Sequence, residues 1–181
     1  MGGYKIRCIL FSQTETWREV ELPDDITFER LHSIIQKLFG FDDYHMWEFR
    51  ILRDDPDSDQ IDLYDVKRII GYEEAHEVIL SEVLNENNYL VYEYDFGDSW
   101  ELFIEKIEDT DYKNKTALLT DYKGKYSPRD DMGGIGVFDI MVQALNDGKN
   151  INRFLSEYGL EGSIKPMDFE KKYKIGSRIR I

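Results

Sequence analysis

Asp95, Asp98, Asp130 and Asp131 are the side chains whose type and spacing best suit chemistry. They fall in two turn-forming islands, Asp95-Phe96-Gly97-Asp98-Ser99-Trp100 and Asp130-Asp131-Met132-Gly133-Gly134. Carboxylate oxygens hold hard divalent cations such as Mg²⁺ or Ca²⁺, and water on such an ion is a nucleophile for phosphoester hydrolysis. If the Gly133-Gly134 loop folds over the first island, the four aspartates, with Glu101 beside them, converge on one ion. The competing reading is structural. Asp95 and Asp98 then accept bonds from turn amides, Asp130 and Asp131 cap the helix expected near Val137 or face water, and Arg129 pairs with these acids. The structural reading needs no ion and is preferred.

Shorter motifs point to other chemistries and fail on context. Phe96-Gly97-Asp98-Ser99 imitates the nucleophile block of GDSL-type esterases, in which a serine is activated by a histidine held by an aspartate. Here His32, His45 and His76 all precede Ser99, the reverse of the order those enzymes use. Asp95-Phe96-Gly97 spells the magnesium tripeptide of protein kinases, but the glycine-rich phosphate loop and the His-Arg-Asp catalytic loop are missing. Asp55, Asp57 and Asp59 have calcium-loop spacing, yet the sixth and twelfth positions are Gln60 and Val66 instead of glycine and glutamate. That loop reads as a solvated surface.

The elements that must position these residues are legible from pattern. Tyr4 to Phe11 and Thr16 to Leu22 read as a hairpin, and Thr27 caps a helix whose Phe28, Leu31, Ile34, Ile35, Leu38 and Phe39 share one face, ending at Gly40. Met46 to Leu52 alternates as a strand. The order strand, strand, helix, strand gives a β-grasp-like N-terminal half. Ile79 to Leu84 leads as a helical turn into a hairpin of Tyr89 to Asp95 and Trp100 to Ile107, followed by a strand at Thr116 to Tyr122. Helices over Val137 to Leu145 and Ile151 to Tyr158 end at Gly148 and Gly159. These elements form a single α+β domain over residues 1–181, with a mixed, mainly antiparallel sheet and packed helices.

The 181 residues include 37 Asp and Glu against 23 Lys and Arg, a formal charge of −14. Phosphate binding needs clustered cations, so the bulk composition argues against a nucleic-acid coat. The C-terminal segment 165–181 is basic, with Lys165, Lys171, Lys172, Lys174, Arg178 and Arg180 against Asp168 and Glu170, so the rest of the chain nets −18. Docking of this tail on the acidic body is the simpler expectation. Lys171, Lys172, Lys174, Arg178 and Arg180 are the residues through which any DNA contact would run. The one cysteine, Cys8, lies in an apolar run and implies no disulfide. No apolar stretch approaches the roughly 20 residues of a membrane helix, so a cytoplasmic protein without membrane partner is expected.

Tyr92 to Glu101, YEYDFGDSWE, followed by Ser127 to Gly136, SPRDDMGGIG, resembles the plasmid Ri ORF-3-like family, some of whose members carry a transposon-resolvase label. The resemblance spans most of the chain and implies kinship without an established activity. Many members show Cys-Pro-Pro-Glu-Asp-Cys-Gly-Gly where this chain has Ser127-Pro128-Arg129-Asp130-Asp131-Met132-Gly133-Gly134, and a histidine where it has Leu102. If relatives hold zinc through those groups, this chain lacks the ligands and no zinc site is expected there. A serine recombinase needs its serine among arginines, whereas Ser99 lies between Asp98 and Glu101.

The sequence therefore favours a non-catalytic interaction domain that binds a protein or peptide, with Asp95, Phe96, Gly97, Asp98, Ser99, Trp100, Asp130, Asp131, Gly133 and Gly134 forming a candidate site or structural lock. It requires no cofactor. The alternative is a metal-assisted hydrolase using Asp95, Asp98, Asp130 and Asp131, and the weaker one is a DNA-associated protein of mobile elements.

Overall fold

The computed structural model describes residues 2–53 and 61–180; the acidic triplet Asp55, Asp57 and Asp59 lies outside the described residues. The chain runs β1 (Gly3–Leu10), β2 (Trp17–Pro23), α1 (Phe28–Phe39), β3 (Trp47–Leu52), β4 (Val66–Gly71), α2 (Leu80–Leu84), β5 (Tyr89–Tyr94), β6 (Trp100–Thr110) and β7 (Thr116–Lys123). It continues through β8 (Tyr126–Ser127), α3 (Gly134–Asn146), α4 (Ile151–Glu157), β9 (Met167–Asp168), α5 (Phe169–Lys172) and β10 (Arg178–Arg180). Eight strands form one sheet in the order β10-β7-β2-β1-β6-β5-β3-β4, while β8 and β9 pair separately. Every pairing is antiparallel. The fold is α+β.

Alternation decides which face is buried, because successive strand residues point to opposite sides. Tyr4, Ile6, Cys8 and Leu10 of β1, Leu90, Tyr92 and Tyr94 of β5, and Trp100, Leu102 and Ile104 of β6 all lie in the core. Helix α1 covers this face with Phe28 edge-on to Phe49, and α3 covers it with Phe138 edge-on to Trp100. Thr27 Oγ1 accepts from the Arg30 amide and Gly40 ends α1 at φ 75°, as the capping pattern of the sequence predicts. The opposite face is open and charged, with Arg50 against Glu48, Glu93 and Glu101.

The strand, strand, helix, strand order of the N-terminal half is present. In space, β6 and β5 stand between β1 and β3. Strand β4 has no counterpart in the sequence reading, because at the sheet edge only Ile70 is fully buried and Lys67, Arg68 and Ile69 are exposed. An edge strand loses the alternation that marks a half-buried one, and charged residues there discourage pairing with other chains.

Arg18 is an internal exception to the apolar face. Its guanidinium is fully buried, stacks 3.7 Å from the centre of the Phe169 ring, and donates to the carbonyls of Trp17, Lys123 and Tyr126 and to Ser127 Oγ. Burial pushes its pKa down to about 9. This planar fork ties β2 to the chain leaving β7, and so to the loop that carries Asp130 and Asp131. Arg18→Lys keeps a charge but loses the fork. It is expected to lower stability by about 2–3 kcal/mol, read in urea unfolding as a reduced midpoint at unchanged slope.

Candidate functional site

The β5–β6 hairpin closes at the pair Tyr94 and Trp100, leaving Asp95 to Ser99 as its turn. Asp95 and Ser99 take left-handed φ values of 56° and 52°. Asp is among the few non-glycine residues that accept this, since its short side chain bonds locally. Asp95 Oδ1 accepts from the Gly97 amide at 3.0 Å and the Asp98 amide at 3.4 Å, and the Ser99 amide donates to Asp95 O at 2.6 Å. The Asp95 amide donates to Met46 O at 2.9 Å, which sets the turn beside the chain entering β3.

The glycine loop does fold over this turn. Asp98 Oδ2 accepts from the Gly133 amide at 3.2 Å. Gly134, at φ 76°, lies so close to the turn that a Cβ would sit 3.1 Å from Asp98 O. A glycine is required there both for backbone conformation and for clearance.

Beneath the turn, Tyr94 and Asp130 join three chain segments. The Tyr94 hydroxyl donates to Asp130 Oδ2 at 2.9 Å and accepts from the Tyr44 amide at 3.0 Å, while the Asp42 amide donates to the same Asp130 oxygen at 3.1 Å. Asp130 Oδ1 is buried with no hydrogen-bond partner among the described residues. Desolvation raises the Asp130 pKa above the usual carboxylate value, against the opposing pull of these donors. Behind this layer, His32 stacks on Trp47 with ring centres 4.0 Å apart and contacts the Tyr92 hydroxyl and Asp43 Oδ1, each at 2.8 Å. Burial lowers its pKa.

On the outer side, His45, Asp95 and Asp131 each offer a ligand atom within 4.8 Å of the others. His45 Nε2 lies 3.6 Å from Asp95 Oδ2 and 3.5 Å from Asp131 Oδ1. Each of the three follows an anchor of the buried layer: Tyr44, Tyr94 and Asp130. The buried hydrogen bonds thus place the outer side chains.

Of the four candidate aspartates, Asp95 and Asp131 meet each other, while Asp98 is turned to the Gly133 amide and Asp130 faces inward to Tyr94. Asp130 and Asp131 do not cap α3, whose N-cap is Gly133 without a side-chain bond. Glu101 is engaged by Arg50 on the open sheet face. Ser99 Oγ donates to Glu93 Oε1 at 3.0 Å, and Arg129 reaches Asp42 at 3.9 Å. Trp100 is buried whereas Phe96 is exposed. The basic tail is folded onto the body: Arg178 and Arg180 flank buried Ile179 on β10, and Lys171 and Lys172 lie on α5, with Lys171, Lys172, Lys174, Arg178 and Arg180 all exposed.

Sequence reasoning missed His45 as a member of the group. Its only local signal is a histidine at the end of the acidic connection Asp42-Asp43-Tyr44, and nothing in that spacing shows that the connection lies against the distant hairpin turn.

The family model for plasmid pRiA4b ORF-3-like proteins matches residues 4–172, covering both islands and the framework that joins them. The chain belongs to the plasmid pRiA4b ORF-3-like family. A relative from Sinorhizobium fredii (strain NBRC 101917 / NGR234), the uncharacterized protein y4hQ, is 32% identical over 138 residues, covering 72% of this chain and 66% of that protein. This pRiA4b ORF-3-like chain therefore spans slightly less than two thirds of that relative's length. Its fold is similar to the crystal structure of MM3350, a protein of unknown function from Methanosarcina mazei Go1, with a TM-score of 0.69 and 23% identity over 96% of this chain and 98% of that one.

Two outcomes test this arrangement. Gly134→Ala is expected to cost about 1–3 kcal/mol because it strains φ and crowds Asp98 O. Gly136→Ala, whose Cβ meets no atom within 4 Å, should stabilise by up to about 1 kcal/mol; thermal unfolding of both variants checks the contrast. A carboxyl whose folded pKa is raised contributes stability fully below its unfolded pKa of about 3.9, and loses it as pH rises through the folded value. The stability of wild type relative to Asp130→Asn should therefore decline as pH rises from that point, measured by urea unfolding across pH.

Proposed function

We infer that this pRiA4b ORF-3-like chain is a non-catalytic, cytoplasmic interaction domain that receives a basic, extended peptide segment of a protein partner. One observation carries the reading: a groove of about 520 Å³ beside the hairpin turn, lined by Met46, Trp47, Tyr72 and Phe96 with Glu48, Glu73 and Glu74 at its rim. Met46, Tyr72 and Phe96 are 63%, 65% and 52% exposed, an unusual concentration of large apolar side chains at one end of a sheet. Contiguous apolar surface rimmed by polar groups marks an interaction site, and exposed methionine and aromatics adapt to a partner's side chains.

Charge selects the occupant. Arg68 lies 3.0 Å from Glu74 and Arg50 lies 3.9 Å from Glu48, leaving Glu73 without an ion-pair partner among the described residues. With a formal charge of −14, the body attracts a cationic segment, and aromatic faces accept Arg or Lys. Nucleic acid is the less favoured occupant, because the exposed tail cations Arg178 and Arg180 lie on β10, at the opposite sheet edge from β4. Cytoplasmic placement is supported by the buried, free thiol of Cys8.

Display selection with random peptides against the full chain should enrich sequences in which basic residues flank an apolar or aromatic one. Their binding should weaken with salt and fall by about thirtyfold in Tyr72→Ala or Phe96→Ser, in line with loss of a hot spot of about 2 kcal/mol. Absence of enrichment, or binding indifferent to both substitutions, would sink the reading.

A further inference from the structure

We propose that His45 Nε2, Asp95 Oδ2 and Asp131 Oδ1 form a three-ligand site for a first-row divalent cation of the Zn²⁺ or Co²⁺ type. This site is separate from the peptide groove and differs from an all-carboxylate set of Asp95, Asp98, Asp130 and Asp131.

The first support is unsatisfied polarity. His45 Nε2 is buried and has no hydrogen-bond partner among the described residues. The Asp95 side chain is only 10% exposed. Its Oδ1 is occupied by turn amides, while Oδ2 takes no hydrogen bond from the described residues and faces the imidazole nitrogen. Buried polar atoms are rarely left without partners, and here a buried nitrogen in that condition faces a free oxygen of a largely buried carboxylate.

The second support is spacing. The nitrogen stands 3.6 and 3.5 Å from the two carboxylate oxygens, beyond the roughly 2.7–3.2 Å of an N–H···O bond. One ring nitrogen has a single proton and cannot serve two carboxylates well. Ligands about 2.1 Å from a tetrahedral Zn²⁺ lie about 3.4 Å from one another, close to both observed separations. Three protein ligands are the number of an open zinc site, and Asp131, whose side chain is 70% exposed, leaves the remaining position to solvent.

The third support is chemistry. An imidazole nitrogen with two carboxylates suits Zn²⁺, Co²⁺ or Ni²⁺ better than Mg²⁺ or Ca²⁺, which favour oxygen. The expectation of no zinc rested on the two cysteines and the histidine that relatives carry elsewhere in the pattern. His45 comes from the connection before β3 and supplies the nitrogen by a different route. The site is also held in advance, since Tyr44, Tyr94 and Asp130, which precede the three ligands, are tied together underneath. Preorganised ligands bind with little ordering cost.

The test uses the full chain after chelation and dialysis. Calorimetry should show one saturable equivalent of Zn²⁺, Co²⁺ should develop a visible tetrahedral-type absorption band, and equal Mg²⁺ or Ca²⁺ should not displace either. His45→Gln and Asp131→Asn should each weaken Zn²⁺ by at least about tenfold, the least expected for loss of a direct ligand. Asp131 is exposed and already at φ 57°, a conformation asparagine adopts, so its variant keeps the fold, which circular dichroism verifies. Asp98→Asn should retain Zn²⁺, because Asp98 is bound to the Gly133 amide. Absence of saturable binding, or binding unaffected by His45→Gln and Asp131→Asn, would overturn the proposal. Loss of binding in a folded Asp98→Asn protein would overturn it in favour of the four-aspartate set.

Discussion

The buried bond between the Tyr94 hydroxyl and Asp130 is the constraint on which the outer architecture depends. With the amides of Asp42 and Tyr44 it brings together the connection before β3, the end of β5 and the glycine loop before α3. None of these segments is adjacent to the others in sequence. Removing one partner would leave the rest buried without compensation, which costs more than the bond itself contributes. That asymmetry is what makes a small polar cluster able to fix three loops.

Around this point the structure accepts backbone strain. Among the described residues, the non-glycine residues with positive φ are Asp43, Asp95, Ser99 and Asp131, all at this end of the sheet. Such conformations cost of order 1–3 kcal/mol each and persist only where the surroundings over-determine them. Here the surroundings are the antiparallel β3–β5–β6 ladder, the packing of Phe41 on Tyr94 and Trp100, and the Gly133 amide held by Asp98. Arg18 provides the corresponding anchor at the other end of the glycine loop. The loop is therefore tethered on both sides: by a buried cation near Ser127 and by a buried carboxylate at Asp130.

The chemical character of the site follows from which carboxylates this scaffold consumes. Asp98 and Asp130 are engaged by backbone amides and a phenol, so they stabilise the fold. Asp95 divides its two oxygens, one inward to its own turn and one outward to His45. Asp131 is exposed and outward. A turn that looks uniformly acidic in sequence thus separates into structural and available carboxylates, and the aromatic groove opens alongside through Met46 and Phe96, the chain neighbours of His45 and Asp95.

Much of this was legible in the chain itself. Strand alternation in β1, β5 and β6 and the helical spacing of α1 determined the elements, because burial of one face imposes a period that the residue types must obey. The turn at Asp95 to Ser99 and the family kinship were readable for the same local reason. Other features were not. Strands β4 and β10 hide at the sheet edges, where one buried residue in each leaves no pattern, the sheet order separates β1 from β3, and His45 gains its meaning only from Asp95 and Asp131 across space. Local sequence specifies backbone conformation and which face seeks the core; which distant loops meet is decided by the packed sheet and by the few buried polar groups that must find partners within it.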